Sequence, residues 1–97
     1  MVTGHSLGGA LAAFASIDLH KNIGVVNQVY TFGQPRIGNY KMAQFMSSAI
    51  PNTNRIIDYA DIVPHLPPSN LDFLHYGHEI WYNPRGMQSY RVCNSED

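Results

Sequence analysis

The sequence predicts an α/β fold in which parallel strands are joined by helices, and three observations carry that prediction. A glycine-flanked serine, Gly4-His5-Ser6-Leu7-Gly8, stands between the strand-like stub Val2-Thr3 and a run of helix formers. Compact β-branched and aromatic runs follow at Val29-Tyr30-Thr31-Phe32 and Arg55-Ile56-Ile57-Asp58-Tyr59. Between these runs lies Tyr40 to Ala49, long enough for a crossover helix. Strands separated by such helices form parallel sheets, and sites collect at the carboxyl ends of those strands.

The serine segment has the G-x-S-x-G spacing of a sharp strand-to-helix turn that lifts a serine oxygen above a sheet. Ser6 is the candidate nucleophile. Gly4 and Gly8 fit a turn in which strand and helix backbones come so close that a Cβ would collide. Behind the serine, Leu11, Phe14 and Ile17 recur every three or four residues among alanines, so a helix begins at once and runs to about Lys21, where Asn22 and Gly24 stop it. The Leu7 amide N–H, at the positive end of that helix, is placed to hold the oxyanion of a tetrahedral intermediate. The plainer alternative is a glycine-rich helix entry with an incidental serine. His5 reads as structural, because its side chain points elsewhere across so sharp a turn.

Val25-Val26 precedes the Val29–Phe32 strand, and Gly33-Gln34-Pro35-Arg36-Ile37-Gly38-Asn39 is turn chemistry. Tyr40 to Ala49 places Met42, Phe45 and Met46, or Tyr40 and Ala43 beside them, on one helical face, with Pro51-Asn52 beyond its end. After the Arg55–Tyr59 strand, Asp61 heads the proline-stiffened loop Ile62-Val63-Pro64-His65-Leu66-Pro67-Pro68. An acid on a loop after a later strand, following the serine in chain order, is where a Ser-acid-His triad carries its carboxylate. The alternative is an aspartate that merely starts a turn. Asp58 is the rival acid, and strand alternation places it within the strand rather than at its end.

The chain has 97 residues, 44% hydrophobic and 13% charged, with a formal net charge of −1. It is one small globular unit with a modest core. Scattered lysines and arginines form neither a basic stripe for nucleic acid nor a polybasic membrane patch. No run approaches the roughly 18 apolar residues of a transmembrane segment, and the first residues do not show a charged region followed by an apolar one. No repeat, low-complexity tract or linker is present.

The stretches VTGHSLGGALA, VYTFGQPRIGN, DYADIVPHLPP and HYGHEIWY, in that order, resemble the fungal-type triacylglycerol lipase family, the class 3 lipases, over nearly the whole chain. The resemblance implies an α/β-hydrolase fold and cleavage of lipid esters by acyl transfer at a lipid–water interface, with no cofactor and no metal. It implies a secreted protein. It makes Ser6 the nucleophile and Asp61 the triad acid, and makes Phe32 to Asn39 a segment that shapes the loop beside the site, with Arg36 holding that loop by a hydrogen bond. In the family the catalytic histidine follows later, in a motif like D-H-x-x-Y-F-G, which is absent here. Leu74 to Tyr82 reads instead as a strand with His75 and His78 on opposite faces, within a β-hairpin-like end. His65 lines the site mouth at most, and His20 is a helix-surface residue.

By the same resemblance, residues 1–97 form a partial class 3 lipase domain, from the nucleophile turn to the strands after the acid loop. The lid and the second oxyanion donor would lie upstream and the histidine downstream. A feruloyl esterase or phospholipase of the same family, or an inactive lipase-like domain that only binds, is the alternative function. Cys93, the single cysteine, lies beside Asn94-Ser95-Glu96-Asp97. The family likeness, in which a V-C segment is followed by a second cysteine, implies a disulfide with a cysteine within about 15 residues downstream.

Overall fold

The computed structural model describes residues 1–24, 26–58, 61–82 and 90–94. Strand β1 (Val2–His5) leads into helix α1 (Leu7–Asn22), and β2 (Val29–Phe32) leads to α2 (Tyr40–Ala49) and β3 (Thr53–Asp58). Two short 3-10 turns, Val63–His65 and Ser69–Leu71, precede β4 (His78–Tyr82) and β5 (Tyr90–Asn94). The sheet order is β1-β2-β3-β4-β5. The first four strands are parallel, and β5 pairs antiparallel to β4. This is the α/β sheet expected, with an antiparallel end.

Register fixes what lies at each edge. His5 pairs with Phe32, and Phe32 with Ile56, so β1 and β2 finish level while β3 runs two residues further, to Asp58. At the opposite edge, Asn54 pairs with His78. β2 starts at Val29, leaving Val26 outside any strand, while Val25 lies outside the described residues. β3 starts at Thr53, two residues before the expected Arg55, and the Thr53 hydroxyl donates to Ile50 O at 2.8 Å at the entry to the strand.

α1 ends at Asn22, and the Ile23 and Gly24 amides both donate to Leu19 O, at 2.9 and 3.0 Å. Its inward face consists of small residues: Gly9, Ala10, Ala12, Ala13 and Ser16. Leu11 and Phe14, whose spacing marks the helix in the sequence, point outward. Small residues let the helix axis approach the strands closely, and buried Ser16 satisfies its hydroxyl on Ala12 O at 2.7 Å.

α2 has the expected span. Asn39 caps it by accepting the Met42 amide at 3.0 Å. Ala43 and Met46 face inward, whereas Tyr40 and Phe45 face out, so Phe45 is not part of the buried face that the spacing suggested. Ala13, Ala43, Met46 and Tyr76 form the central cluster, flanked by Ile17, Ile37, Met42 and Leu74. Both helices thus share one core with the segment before β4.

Arg55 lies fully buried in β3, and its Nε donates to Tyr76 O at 2.7 Å. A buried charge needs such partners. Among the described residues no helix is long and apolar enough to cross a membrane.

Candidate active site

Ser6 stands between β1 and α1 with φ 56° and ψ −123°. A side-chain-bearing residue at positive φ is strained, and the surroundings must hold it there. Two contacts do so: the Ser6 amide donates to Phe32 O at 2.7 Å, and the Ser6 carbonyl accepts from Gly9 N–H at 2.9 Å. Although Ser6 occupies the helix N-cap, its hydroxyl makes no capping bond. The oxygen is therefore not spent on the backbone. Leu7 is the first residue of α1, so its amide lies outside the intrahelical pattern, at the end where the helix dipole is positive.

The glycines divide the work unequally. A Cβ on Gly4 would collide with Gly8 O and lie 2.6 Å from Gly8 C, both backbone atoms. One on Gly8 would meet nothing within 4 Å. Collision thus explains Gly4 but not Gly8. The second close approach belongs to Gly9, where a Cβ would lie 3.2 Å from the Gln34 Cβ, and the spacing rule does not single that glycine out.

Asp61 follows β3 on the same edge, half-buried. Its Oδ1 accepts the Val63 amide at 3.0 Å, so it does start a turn. Its Oδ2 lies against Gly33, the residue after β2. Asp58 is the last residue of β3 and exposed, not internal to the strand. Alternation tells which way a side chain points, not where pairing stops, so position alone does not separate the two acids. Tyr59 lies outside the described residues.

The acid loop is anchored from the loop after β2. Arg36 Nη1 donates to His65 O at 2.8 Å and to Pro67 O at 3.1 Å, and the Arg36 amide donates to Leu66 O at 2.7 Å. Arg36 therefore holds the loop, through three hydrogen bonds rather than one. Ser6 and Asp61 thus share one edge of the sheet, and the Asp61 carboxylate reaches over the end of β2, the strand beside the one that carries Ser6.

His78 opens β4 opposite Asn54, at the amino edge of the sheet and about 13 Å along the strand from the Asp58 level. His75 is not on that strand. It precedes the turn at Gly77 (φ 76°), is buried, and its Nε2 is hydrogen-bonded to Pro64 O. The expected opposite-face alternation fails because that turn intervenes. His65 and His5 are exposed. His20, on the surface of α1 as expected, is half-buried where it lines an open hollow with Val26, Gln28 and Pro51. Cys93 is a free, half-buried thiol on β5, opposite Glu79, while its neighbours Ser95 to Asp97 lie outside the described residues. Among the described residues, no group of three or more His, Cys, Asp or Glu side chains gathers as a metal ion would require.

Tyr76, deep in the core, has its phenol pushed up to about 12 by burial, partly offset by Gln34 and by the Arg55 charge. Gln34 approaches that hydroxyl without closing a hydrogen bond of good geometry.

A mostly parallel sheet in which a strand turns through a strained serine into a helix is an architecture of the α/β hydrolases. The family model described as lipase (class 3) matches residues 1–71, and the chain belongs to that family. A lipase of Rhizomucor miehei is 39% identical over 99 residues, covering 98% of this chain and 27% of that protein. The solved structure of lipase II from Rhizopus niveus superposes with a TM-score of 0.86 at 38% identity, covering 97% of this chain and 37% of that one. A triacylglycerol lipase whose catalytic centre is described as a serine protease triad superposes with a TM-score of 0.88 at 41% identity, covering 98% of this chain and 37% of that one. The chain spans about a quarter of the length of the curated relatives it matches.

Proposed function

We propose that this chain carries the nucleophile and the acid of a serine hydrolase of lipid carboxylic esters. Ser6 Oγ attacks the ester carbonyl while a histidine takes its proton, and the Leu7 amide stabilises the oxyanion. The tetrahedral intermediate collapses, the alcohol leaves with that proton, and water then releases the acid from the acyl-enzyme by the same route. Asp61 orients the histidine, which residues beyond 1–97 contribute. Gly4 shapes the turn, with Gly8 beside it. The observation that carries the reading is Ser6 itself: a strained, uncapped serine at a helix N-terminus, on the edge that also holds Asp61. The substrate class rests on relatives named lipase and triacylglycerol lipase. Action at a lipid–water interface and secretion extend the same reading, and Cys93 is assigned a disulfide partner downstream, as an oxidising compartment allows.

The test is ester hydrolysis by the full-length gene product. Ser6→Ala and Asp61→Ala should each lower turnover by a factor on the order of a thousand or more, with folding retained. His78→Ala should keep substantial activity. A His78→Ala protein as inactive as Ser6→Ala overturns the assignment of the base, and an active Ser6→Ala overturns the mechanism.

A further inference from the structure

We infer that Gly33 is a positioning residue for the Asp61 carboxylate, an inference that rests on Asp61 being the triad acid. Gly33 is the first residue after β2, held at φ 63°, with its amide donating to Ile56 O at 2.9 Å. A Cβ built there would lie 2.6 Å from Asp61 Oδ2 and 3.8 Å from Asp61 Cγ, and would meet no other described atom within 4 Å beyond its chain neighbours. The space a side chain at 33 would need is thus the space the carboxylate fills. Ordinary packing leaves room for a methyl group; the acid does not.

The carboxylate has little freedom to step aside. Oδ1 is tied to the Val63 amide, and the loop beyond is tied to Arg36 at Leu66, His65 and Pro67. A methyl group at 33 would push Oδ2 outward by about 0.8 Å before ordinary contact at 3.4 Å is reached. Oδ2 is the oxygen that carries no hydrogen bond among the described residues, and so the one available to an imidazole N–H. Gly33 also lies between the ends of β1 and β3, so the displaced group moves on the edge that also holds Ser6. Misplacing a catalytic group by about 1 Å costs rate by up to about a hundredfold.

The experiment is a double-variant cycle in the full-length gene product: wild type, Gly33→Ala, Asp61→Ala and both together, each measured for kcat and KM on a short-chain nitrophenyl ester and for melting temperature. Gly33→Ala should lower kcat by about ten- to a hundredfold with KM changed less than about twofold. It should leave the residual rate of Asp61→Ala unchanged, because the obstructed side chain is gone. The melting temperature should fall further on Gly33→Ala in the wild-type background than in the Asp61→Ala background. Backbone strain at positive φ acts equally in both, so an equal loss in the two backgrounds overturns the inference, as does wild-type kcat in Gly33→Ala. If Gly33→Ala alone does not fold, recovery of a cooperative melt in the double variant supports the inference, and its failure to recover sinks it. Full activity in Asp61→Ala refutes the acid assignment separately, and the melting temperatures still decide whether Gly33 positions that side chain.

Discussion

Gly4 and Gly8 flank the same serine but answer to different constraints. A methyl group on Gly4 would strike the backbone of Gly8, which cannot yield without opening the turn, so Gly4→Ala should cost about 1–3 kcal/mol. Gly8→Ala meets open space inside a helix, and the better helix propensity should leave stability unchanged or raise it by up to about 1 kcal/mol. Urea unfolding of both variants checks the pair, and equal destabilisation would contradict it. Spacing alone assigned both glycines one role, because a pattern of letters does not show which Cβ direction is blocked. Tyr76 raises a second test. Its phenol is neutral in the folded core up to about pH 12, whereas the unfolded chain ionises from its ordinary value of 10.0. The raised value makes this contribution to stability complete below pH 10, declining as pH rises through the window from 10 to 12, by about 2–3 kcal/mol in all. Tyr76→Phe should remove that part of the alkaline decline, as read from melting temperature against pH. A variant that declines as steeply as wild type would count against the burial of the phenol.

At the level of elements, the sequence marked α2 well and α1 only in part. Asn39 and Pro51 bracket α2 with a cap and a stop, so local chemistry sets both its ends. α1 announces itself by Leu11, Phe14 and Ile17, yet buries its alanines and glycines, since contact distance with the sheet, not side-chain size, selects the inner face. β3 hides a fully buried arginine that no apolar alternation foretells, because its partner, the Tyr76 carbonyl, is 21 residues away. The site shows the same split. Ser6 and Asp61 are visible in the letters; the opposition of Gly33 to Asp61 requires two loops to meet. Arg36 is the tie between those loops. Arg36→Met keeps much of the side-chain stem but removes the donors to His65 O and Pro67 O, leaving two carbonyls of the acid loop unpaired. A loss of about 1–3 kcal/mol is expected in thermal or urea unfolding. Wild-type stability in Arg36→Met would show that the loop holds without it.

At the scale of the whole molecule, Ser6 and Asp61, the proposed nucleophile and acid, stand on one edge of the sheet, and the proposed base is none of the histidines among the described residues. His75 is turned to Pro64 O, His78 sits at the far edge of the sheet, and His5, His20 and His65 make no described contact with Asp61. A serine hydroxyl without an imidazole stays protonated at neutral pH and loses most of its nucleophilic activation, although the helix N-terminus and strained backbone remain in place. The chain of residues 1–97, produced alone and shown by circular dichroism to be folded, should therefore hydrolyse short-chain nitrophenyl esters hardly above the uncatalysed rate. Ser6→Ala should leave that low rate unchanged, because the hydroxyl it removes was never activated. Adding free imidazole to millimolar concentration offers a further arm: with Ser6 and Asp61 on one edge of the sheet, a diffusible base should raise the rate in wild type more than in Ser6→Ala. Turnover typical of enzymes, about 1 per second or faster, by residues 1–97 without added base and abolished by Ser6→Ala would mean that one of the five histidines reaches the serine after all.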